Sequence, residues 1–358
     1  MNGVTVAVTG LDARINPYPG LALARCLRGD PLFNGRIIAL TYDIYCTGIF
    51  RDDLFDAVYI VPYPTEPSHK LLRRLKEINR QDPVQVIIPA LDSEIAVYAR
   101  FRDELREVGI ETLLPNEAAV KARYKDNLAG TCGRLNIRTP KTVVISSVEQ
   151  LDWAPELLAF PMVIKGSLAD AHIVHDLREL KCFYIRVLNQ WGFPVVLQER
   201  LVGEEFDVAA LADRGSAMVA AIPMRKFAIS ERGKASAGVV VDDPDLVQQA
   251  EELLKRMHWV GPCEVEMLRE AATGRYFLLE LNARFPAWIY MAAEAGCNMP
   301  GMAVRLAMHQ SLGQVAPAAA GHLFFRNRFG HLVDQSMLTD LLNRGGWRRA
   351  PMDVGERL

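Results

Sequence analysis

The chain has 358 residues, of which 50% are hydrophobic and 23% are charged, so it is long enough to bury two or three packed units. Its 41 basic and 43 acidic residues nearly balance, which argues against a binding surface for nucleic acid or anionic membranes and favours small ligands. No apolar stretch approaches the roughly 18 residues of a membrane helix, and the first residues lack a secretion signal. The six separated cysteines are typical of reduced thiols, so we expect a cytoplasmic protein.

The first third of the chain alternates between strand and helix patterns. Short aliphatic strands are predicted at 4–10, 35–43, 56–62 and 84–90, with helices at 19–29 and 68–81 between them. This alternation predicts a mostly parallel, layered sheet, so residues 1–115 form one α/β domain. The first strand-to-helix turn lacks the G-x-G-x-x-G spacing, which argues against a nicotinamide cofactor.

From residue 116 onward the pattern changes to that of an α+β region. Residues 116–136 read as one helix with Asn116 as its N-cap. Four strand segments separated by polar turns follow: FPMVIKGS, FPVVLQERLVGEEFDVAAL, CEVEML and RYFLLELNARF. We expect these strands to be antiparallel, and we read residues 343–358 as a loosely held basic terminus.

Two of the strands form a predicted β-hairpin. CEVEML and YFLLELN are separated by REAATGR, whose Thr-Gly pair favours a reversing loop. Because side chains alternate across a strand, the second strand is expected to hold four residues on one face: Tyr276, Leu278, Glu280 and Asn282. On the first strand the same rule groups three residues: Glu264, Glu266 and Leu268. If the two faces coincide, carboxylates and an amide oxygen crowd together.

Crowded carboxylates of this kind indicate a cation site. Like charges repel and burial disfavours ionisation, so such a face is costly unless a cation binds to it. Hard oxygen ligands suit Mg²⁺, usually completed by water and substrate phosphates. The alternative is that these acids pair with neighbouring arginines on a solvated hairpin face: Arg269, Arg275 or Arg284.

Two further segments have the residue types of a nucleotide site. Lys165 ends the apolar strand FPMVIKG, where an ammonium would emerge from a core edge as a phosphate contact requires; a solvated cap is the alternative. The segment QERLVGEEFD contains a short linker around Gly203, whose backbone could bind an adenine edge. Glu205 could accept hydrogen bonds from ribose hydroxyls, although the segment alone reads as a charged connector.

In their order along the chain these segments resemble the ATP-grasp superfamily, the fold of D-alanine–D-alanine ligase, biotin carboxylase and the large subunit of carbamoyl phosphate synthetase. The resemblance covers residues 4–310, and VIIPALDSEIAVYA is similar to the strand that ends in an acidic loop in the family's first domain. It implies three units: a pre-grasp α/β domain over 1–115, a small lobe over 116–200, and a large lobe with a C-terminal tail over 201–358.

The resemblance also implies a role for each matched residue. The nucleotide would be held by six residues: Lys125, Lys165, Gln198, Glu199, Leu201 and Glu205. Mg²⁺ would be held by three residues: Glu266, Glu280 and Asn282. The reacting phosphoryl or carboxylate group would be contacted by Arg284, which would act in catalysis together with Lys165.

The function that the resemblance implies is an ADP-forming ligase with ATP and Mg²⁺ as cofactors. ATP would phosphorylate a small-molecule or peptide carboxylate, and an amine would displace phosphate from the acyl phosphate; a homodimer is also implied. Carboxyphosphate chemistry like that of carbamoyl phosphate synthetase is one alternative. A nucleotide-binding subunit with weakened turnover is another, because KGSLADAHIVHD has only Gly166 where the family places a glycine-rich phosphate loop.

Two other features carry weaker signals. His172 and His175 in HIVH invite a metal interpretation, but no nearby cysteine or carboxylate pattern completes a zinc site. Residues 224–238 join basic residues to small ones, which is typical either of a mobile segment near a substrate or of a solvated loop.

Overall fold

Three β-sheets organise the chain in the computed structural model, which describes residues 3–13, 18–166, 171–230, 235–326 and 335–348. One sheet has five strands and is mostly parallel, and two antiparallel sheets have four and six strands. The predicted class, an α/β domain followed by an α+β region, is therefore confirmed. Among the residues that the structure describes, no helix is long and apolar enough to cross a membrane.

The five-stranded sheet belongs mainly to the N-terminal region. Its strands are β1 (Thr5–Val8), β2 (Arg36–Thr41), β3 (Ala57–Ile60), β4 (Val86–Ile88) and β15 (Gly346–Arg348). Its helices are α1 (Gly20–Arg28), α2 (Ser68–Gln81), α3 (Asp92–Arg100) and α4 (Arg102–Arg106). The strand order is β15-β3-β2-β1-β4, and β1 to β4 are parallel. Their carboxyl ends therefore lie at one edge of the sheet, where loops carry polar residues.

The end of the chain differs from the loosely held tail that we predicted. Helix α12 (Gln335–Arg344) leads into β15, which pairs antiparallel with β3 and adds an edge strand to the N-terminal sheet. Arg74 also donates a hydrogen bond to the carbonyl of Gly345 at 3.1 Å. A strand of three residues is too short to produce a recognisable alternation, so the sequence gives no signal for it. Residues 349–358 lie outside the described residues.

Two short helices connect the N-terminal sheet to the rest of the chain. They are α5 (Glu117–Ala122) and α6 (Lys125–Leu135). Asn116 caps α5 as predicted, because its side-chain oxygen accepts a hydrogen bond from the Ala119 amide at 2.9 Å. The prediction of one continuous helix is wrong, since Tyr124 leaves the helical region with ψ of 144°. This break places Lys125 in the first turn of α6.

The four-stranded sheet forms a small lobe. Its strands are β5 (Thr142–Ile145), β6 (Met162–Lys165), β7 (Ala171–Val174) and β8 (Val195–Glu199), in the order β5-β8-β6-β7. Helices α7 (Ala154–Leu157) and α8 (Leu177–Trp191) belong to the same lobe. Leu180 and Tyr184 of α8 pack against Ile164 and Leu197 to form a separate small core. The end of β6 carries Lys165.

The six-stranded sheet forms the large lobe. Its strands are β9 (Gly203–Ala212), β10 (Met218–Ile229), β11 (Ala235–Val240), β12 (Gly261–Glu270), β13 (Tyr276–Asn282) and β14 (Leu323–Phe325), in the order β13-β12-β9-β10-β11-β14. Its helices are α9 (Pro244–Arg256), α10 (Ile289–Glu294) and α11 (Met299–Ala307). Phe206 and Val208 on one face of β9 share a core with Leu253 of α9. Ala209 and Leu211 on the other face pack with the N-terminal sheet and α10.

The predicted β12–β13 hairpin is present, but one expectation about it is wrong. Glu264 pairs with Asn282 and Glu266 with Glu280, as a shared face requires. A β-bulge then shifts the register, so that Leu278 packs in the same core as Leu281 instead of sharing a face with Glu280. A bulge adds one residue to one strand, which reverses the alternation beyond it. Tyr276 lies in that same core.

Candidate active site

A row of acidic side chains crosses three neighbouring strands of the large sheet. The register pairs Glu280 on β13 with Glu266 on β12, and Glu266 with Asp207 on β9. Directly opposed residues have Cβ atoms about 5 Å apart, so such side chains interact. Asp207, Glu264 and Glu266 each have a carboxylate oxygen within 4.8 Å of the others. This acidic row concentrates negative charge that cations must balance.

The ammonium of Lys226 balances part of this charge. Lys226 on β10 has a side chain that is 1% exposed, and its Nζ lies 2.8 Å from Asp207 and 2.9 Å from Glu266. Glu205 is 3.4 Å from the same nitrogen. Burial alone would lower the pKa of Lys226, but these carboxylates raise it well above its usual value. Lys226 is therefore a buried cation in the acidic row.

The three predicted metal ligands lie next to one another. Asn282 is buried, and its Nδ2 donates hydrogen bonds to Glu266 at 2.9 Å and to Glu264 at 3.3 Å. Burial opposes ionisation of Glu266, but Lys226 and Arg284 lower its pKa below the usual value. Two carboxylates and an amide oxygen, which a turn of the Asn282 side chain would present, are hard ligands that fit Mg²⁺.

The two lysines predicted to contact the nucleotide, Lys125 and Lys165, lie near these three residues. Lys125 Nζ lies 3.5 Å from Glu280 Oε2. Burial and the charge of Lys125 lower the pKa of Lys165 to about 8, while Glu280, Glu266 and Glu205 oppose the shift. These interactions bring the end of β6 in the small lobe to the acidic row of the large lobe. Cations from α6 and β6 therefore lie near the predicted metal-ligand oxygens of the large sheet, as a phosphate site requires.

The predicted adenine residues lie at the end of β8 and just beyond it. Gln198 Nε2 donates to Thr142 Oγ1 at 3.1 Å, across the β5–β8 pair. Glu199 Oε1 accepts from the Lys141 amide at 2.6 Å, and Leu201 is partly buried. These contacts fix the segment that joins the small lobe to the large lobe. Its role in adenine binding stays a prediction, as does ribose binding by Glu205.

Arg284 follows β13 and connects the large sheet to the N-terminal domain. Its Nε donates to Asp92 at 2.9 Å and its Nη1 to Glu264 at 2.8 Å. Burial opposes its charge, but these two carboxylates raise the pKa of Arg284 above its usual value. The second oxygen of Asp92 lies 2.9 Å from Arg123 Nη1. Arg284 is therefore held in one orientation by acids from two domains.

A buried glutamate supports the loop that carries Asp92. Glu94 accepts hydrogen bonds from the amides of Ala90 at 2.7 Å and Leu91 at 2.9 Å, and from the hydroxyls of Thr9 and Tyr42. Burial raises the pKa of Glu94 to about 7. These bonds fix the start of α3 at the carboxyl edge of the parallel sheet, and with it the position of Asp92.

Several of these residues could not be singled out from the sequence. They are Asp92, Arg123, Asp207, Lys226 and Trp288, whose Nε1 donates to Glu264 at 3.1 Å. Asp207 had a local signal, because it lies two positions after Glu205 on the same face of a strand. The alternative prediction is that the hairpin acids pair with neighbouring arginines. Arg284 does pair with Glu264, and it also pairs with Asp92 of the N-terminal domain. Arg269 pairs with Glu204 instead.

Parts of the predicted site lie outside the described residues. These are 167–170 in the expected phosphate loop and 231–234 in the segment 224–238. Near the first gap, the His172 ring stacks on Phe183 with 4.5 Å between ring centroids, and His175 Nδ1 lies 3.1 Å from Glu179. These contacts give the two histidines structural partners.

The sequence of the chain is similar to those of known proteins. Residues 193–324 match the model of a family described as ATP-grasp in the biosynthetic pathway with Ter operon. The matched segment includes β9, β12 and β13, which carry the acidic row. The carbamoyl phosphate synthase large chain of Paenarthrobacter aurescens (strain TC1) is 21% identical over 326 residues, covering 83% of this chain. The match spans 28% of that relative, so this chain corresponds to less than a third of its length.

Solved structures share the fold over most of the chain. The biotin carboxylase domain of a Hydrogenobacter thermophilus 2-oxoglutarate carboxylase, in complex with MgADP and bicarbonate, superposes with a TM-score of 0.68 at 14% identity. The superposition covers 88% of this chain and 72% of that one. An L-amino acid ligase from Bacillus licheniformis has a TM-score of 0.64 at 15% identity, covering 86% and 75%. The predicted resemblance is confirmed by these matches.

Proposed function

We propose that this chain, which has the fold of the ATP-grasp superfamily, is an ATP-dependent, ADP-forming ligase that joins a carboxylate to an amine through an acyl phosphate. One observation carries the proposal: Lys125 contacts one of the three predicted metal ligands and Lys165 interacts electrostatically with two of them, although these five residues come from four separate elements, α6, β6, β12 and β13. The L-amino acid ligase among the structural neighbours supports the class of reaction.

In this proposal the nucleotide lies between the end of β6 and the polar face of the large sheet. Lys125 and Lys165 contact its phosphates, Glu205 its ribose, and the segment around Gln198 its adenine. Glu266, Glu280 and Asn282 would hold Mg²⁺, which would supply positive charge against the phosphates. The solved relative in complex with MgADP supports this choice of cofactor.

The proposed chemistry needs positioning and charge more than a protein nucleophile. A carboxylate oxygen of the first substrate attacks the γ-phosphorus of ATP, and the bond to the β-phosphate oxygen breaks to release ADP. The amine then attacks the acyl carbon, loses a proton and expels inorganic phosphate. Arg284 stabilises the negative charge that these steps develop. Its contact with Asp92 places it beside the carboxyl edge of the parallel sheet, where open α/β sheets bind ligands.

A second candidate function is the phosphorylation of bicarbonate or carbamate. It is favoured by the identity to a carbamoyl phosphate synthase large chain and by the bicarbonate in the solved carboxylase. Both candidates release ADP, and they differ in the acceptor of the phosphoryl group. The third possibility raised by the sequence, a nucleotide-binding subunit without turnover, predicts binding of ATP but no ADP release.

The test is a screen for substrate-dependent ADP release, with products identified by mass. Amino acids, peptides and small acids are supplied in pairs with amines, and bicarbonate alone is supplied in a parallel reaction. ADP release that needs both an acid and an amine supports the ligase, and release with bicarbonate alone supports the second candidate. ATP binding without ADP release in any reaction would contradict both. Sedimentation velocity on the same protein tests the homodimer that the resemblance implies.

A further inference from the structure

The proposed ligase mechanism gives no role to Lys226, although its ammonium lies within the acidic row. The side chain is 1% exposed, and its Nζ is within 3.4 Å of carboxylates on two strands: Glu205 and Asp207 on β9, and Glu266 on β12. Burying a charge is costly, and an apolar residue of similar size often packs at lower cost. A role in packing alone therefore accounts poorly for a lysine at this position.

The neighbouring residue on the same strand shows what an ordinary surface cation looks like. Arg225 has a side chain that is 45% exposed, and it pairs with Glu204 at 3.1 Å on the opposite face of the sheet. Glu204 also pairs with Arg269. The Arg225–Glu204 pair therefore belongs to a group of exposed charges on that face of the sheet. Lys226 differs because its partners include a proposed metal ligand, Glu266, and the proposed ribose ligand, Glu205.

The charge of Lys226 is matched to the acids that surround it. Asp207 and Glu266 are paired across β9 and β12, and both are in contact with the same ammonium. Burial raises the pKa of Asp207 well above its usual value and the ammonium of Lys226 opposes that shift, so without the ammonium this pair would need a proton or another cation to balance its charge. Glu264 is compensated separately, because Arg284 and Trp288 bind its two oxygens.

We infer that Lys226 is a positioning residue that occupies a cation position in the acidic row. Its ammonium holds Glu266 and Glu205 in place and keeps the Asp207–Glu266 pair from binding a divalent cation before the nucleotide arrives. Metal binding is thereby coupled to the nucleotide, whose phosphates supply the remaining ligands. The inference rests on the proposed function for the identity of the nucleotide, but the contacts of Lys226 do not depend on it.

The experiment titrates the full chain with Mn²⁺ in the absence of nucleotide and follows free Mn²⁺ by electron paramagnetic resonance. We expect Lys226→Met to bind Mn²⁺ at least about tenfold more tightly than the wild type, the factor that one charge-assisted contact is worth. Lys226→Arg, which keeps the charge, should bind as weakly as the wild type. Arg225→Met is the matched control, since it removes a cation from the solvated face of the same strand.

Equal Mn²⁺ affinities of Lys226→Met and the wild type would overturn the inference. If Lys226→Met is too unstable to titrate, Lys226→Gln is titrated instead, and Mn²⁺ should raise its melting temperature more than that of the wild type. No shift in that variant would equally count against the inference. The titration contains neither ATP nor substrate, so its outcome is separate from the screen for ADP release, and either proposal can fail alone.

Discussion

Asp92 at the start of α3 accepts a hydrogen bond from Arg284 Nε at 2.9 Å, which connects the N-terminal domain to the strand that carries the proposed metal ligands. The other oxygen of Asp92 lies 2.9 Å from Arg123, whose side chain is only 6% exposed. One carboxylate thus contacts two arginines, Arg284 and Arg123. The orientation of Arg284 therefore depends on a residue that lies 192 positions away in the sequence.

We predict that Asp92→Asn lowers turnover by about tenfold or more and leaves ATP affinity unchanged. The amide keeps the size of the side chain but loses the charge-assisted contacts, each worth about 1.5 to 3 kcal/mol. Steady-state kinetics together with calorimetry of ATP binding measure the two effects. Asp103→Asn is the matched control, because Asp103 is 82% exposed and pairs loosely with Arg106 at 3.7 Å. Wild-type turnover in Asp92→Asn would show that Arg284 is oriented without it.

We predict that Glu280→Ala abolishes turnover without unfolding the chain and removes the strengthening of ATP binding by Mg²⁺. An acidic cluster without a metal would gain stability when one charge is lost, whereas a metal site loses a ligand. Calorimetry of ATP binding with and without Mg²⁺ distinguishes a metal site from an acidic cluster that binds no metal. Glu204→Ala serves as the control, since Glu204 is 46% exposed and faces away from the cleft. Equal strengthening by Mg²⁺ in Glu280→Ala and the wild type would place the metal elsewhere.

We predict that Lys165→Met weakens ATP binding by about tenfold to a hundredfold and leaves the fold intact. The substitution keeps most of the aliphatic stem and removes the ammonium, so the expected loss is that of one charge-assisted hydrogen bond. ATP affinity and the melting temperature are measured on the same preparation. An unchanged affinity would assign Lys165 to the solvated strand cap that the sequence left as an alternative.

The affinity for ATP should also depend on pH through Lys165. Burial and Lys125 lower the pKa of Lys165 to about 8 in the free protein, and bound phosphates would raise it. Binding above pH 8 must therefore take up a proton, so the affinity falls as the pH rises, by up to about tenfold per pH unit. In Lys165→Met this component should disappear. A wild-type affinity that stays constant between pH 7 and 9.5 would contradict the phosphate contact.

The hairpin and the clustering of its polar side chains could be predicted because their signals are local. Alternation groups Glu264 with Glu266 on one strand and Glu280 with Asn282 on the other, and the structure shows that these two faces coincide. The same rule failed at Leu278, because a β-bulge changes the alternation without a signature in the sequence. Strand and helix periodicity likewise predicted β1 to β4 and α2 closely.

The partners of the site residues could not be predicted in the same way. Asp92 and Arg284 meet only when two domains pack together, and Lys226 meets Asp207 only when β10 lies next to β9. Periodicity identifies the face on which a residue lies but not the strand that will lie beside it. In the sequence, Lys226 is one of several cations in residues 224–238, which we read as a mobile segment or a solvated loop, whereas the structure places Lys226 on β10.

The central claim is that this chain transfers the γ-phosphoryl group of ATP to a carboxylate, and the identity of the nucleotide product tests it most directly. The reaction contains ATP, Mg²⁺ and an acid that supports turnover, with hydroxylamine in place of the amine. We predict that ADP and a hydroxamate form in equal amounts, and that Arg284→Ala lowers both together because one group stabilises the transfer. Stoichiometric AMP and pyrophosphate in place of ADP would contradict the acyl-phosphate mechanism.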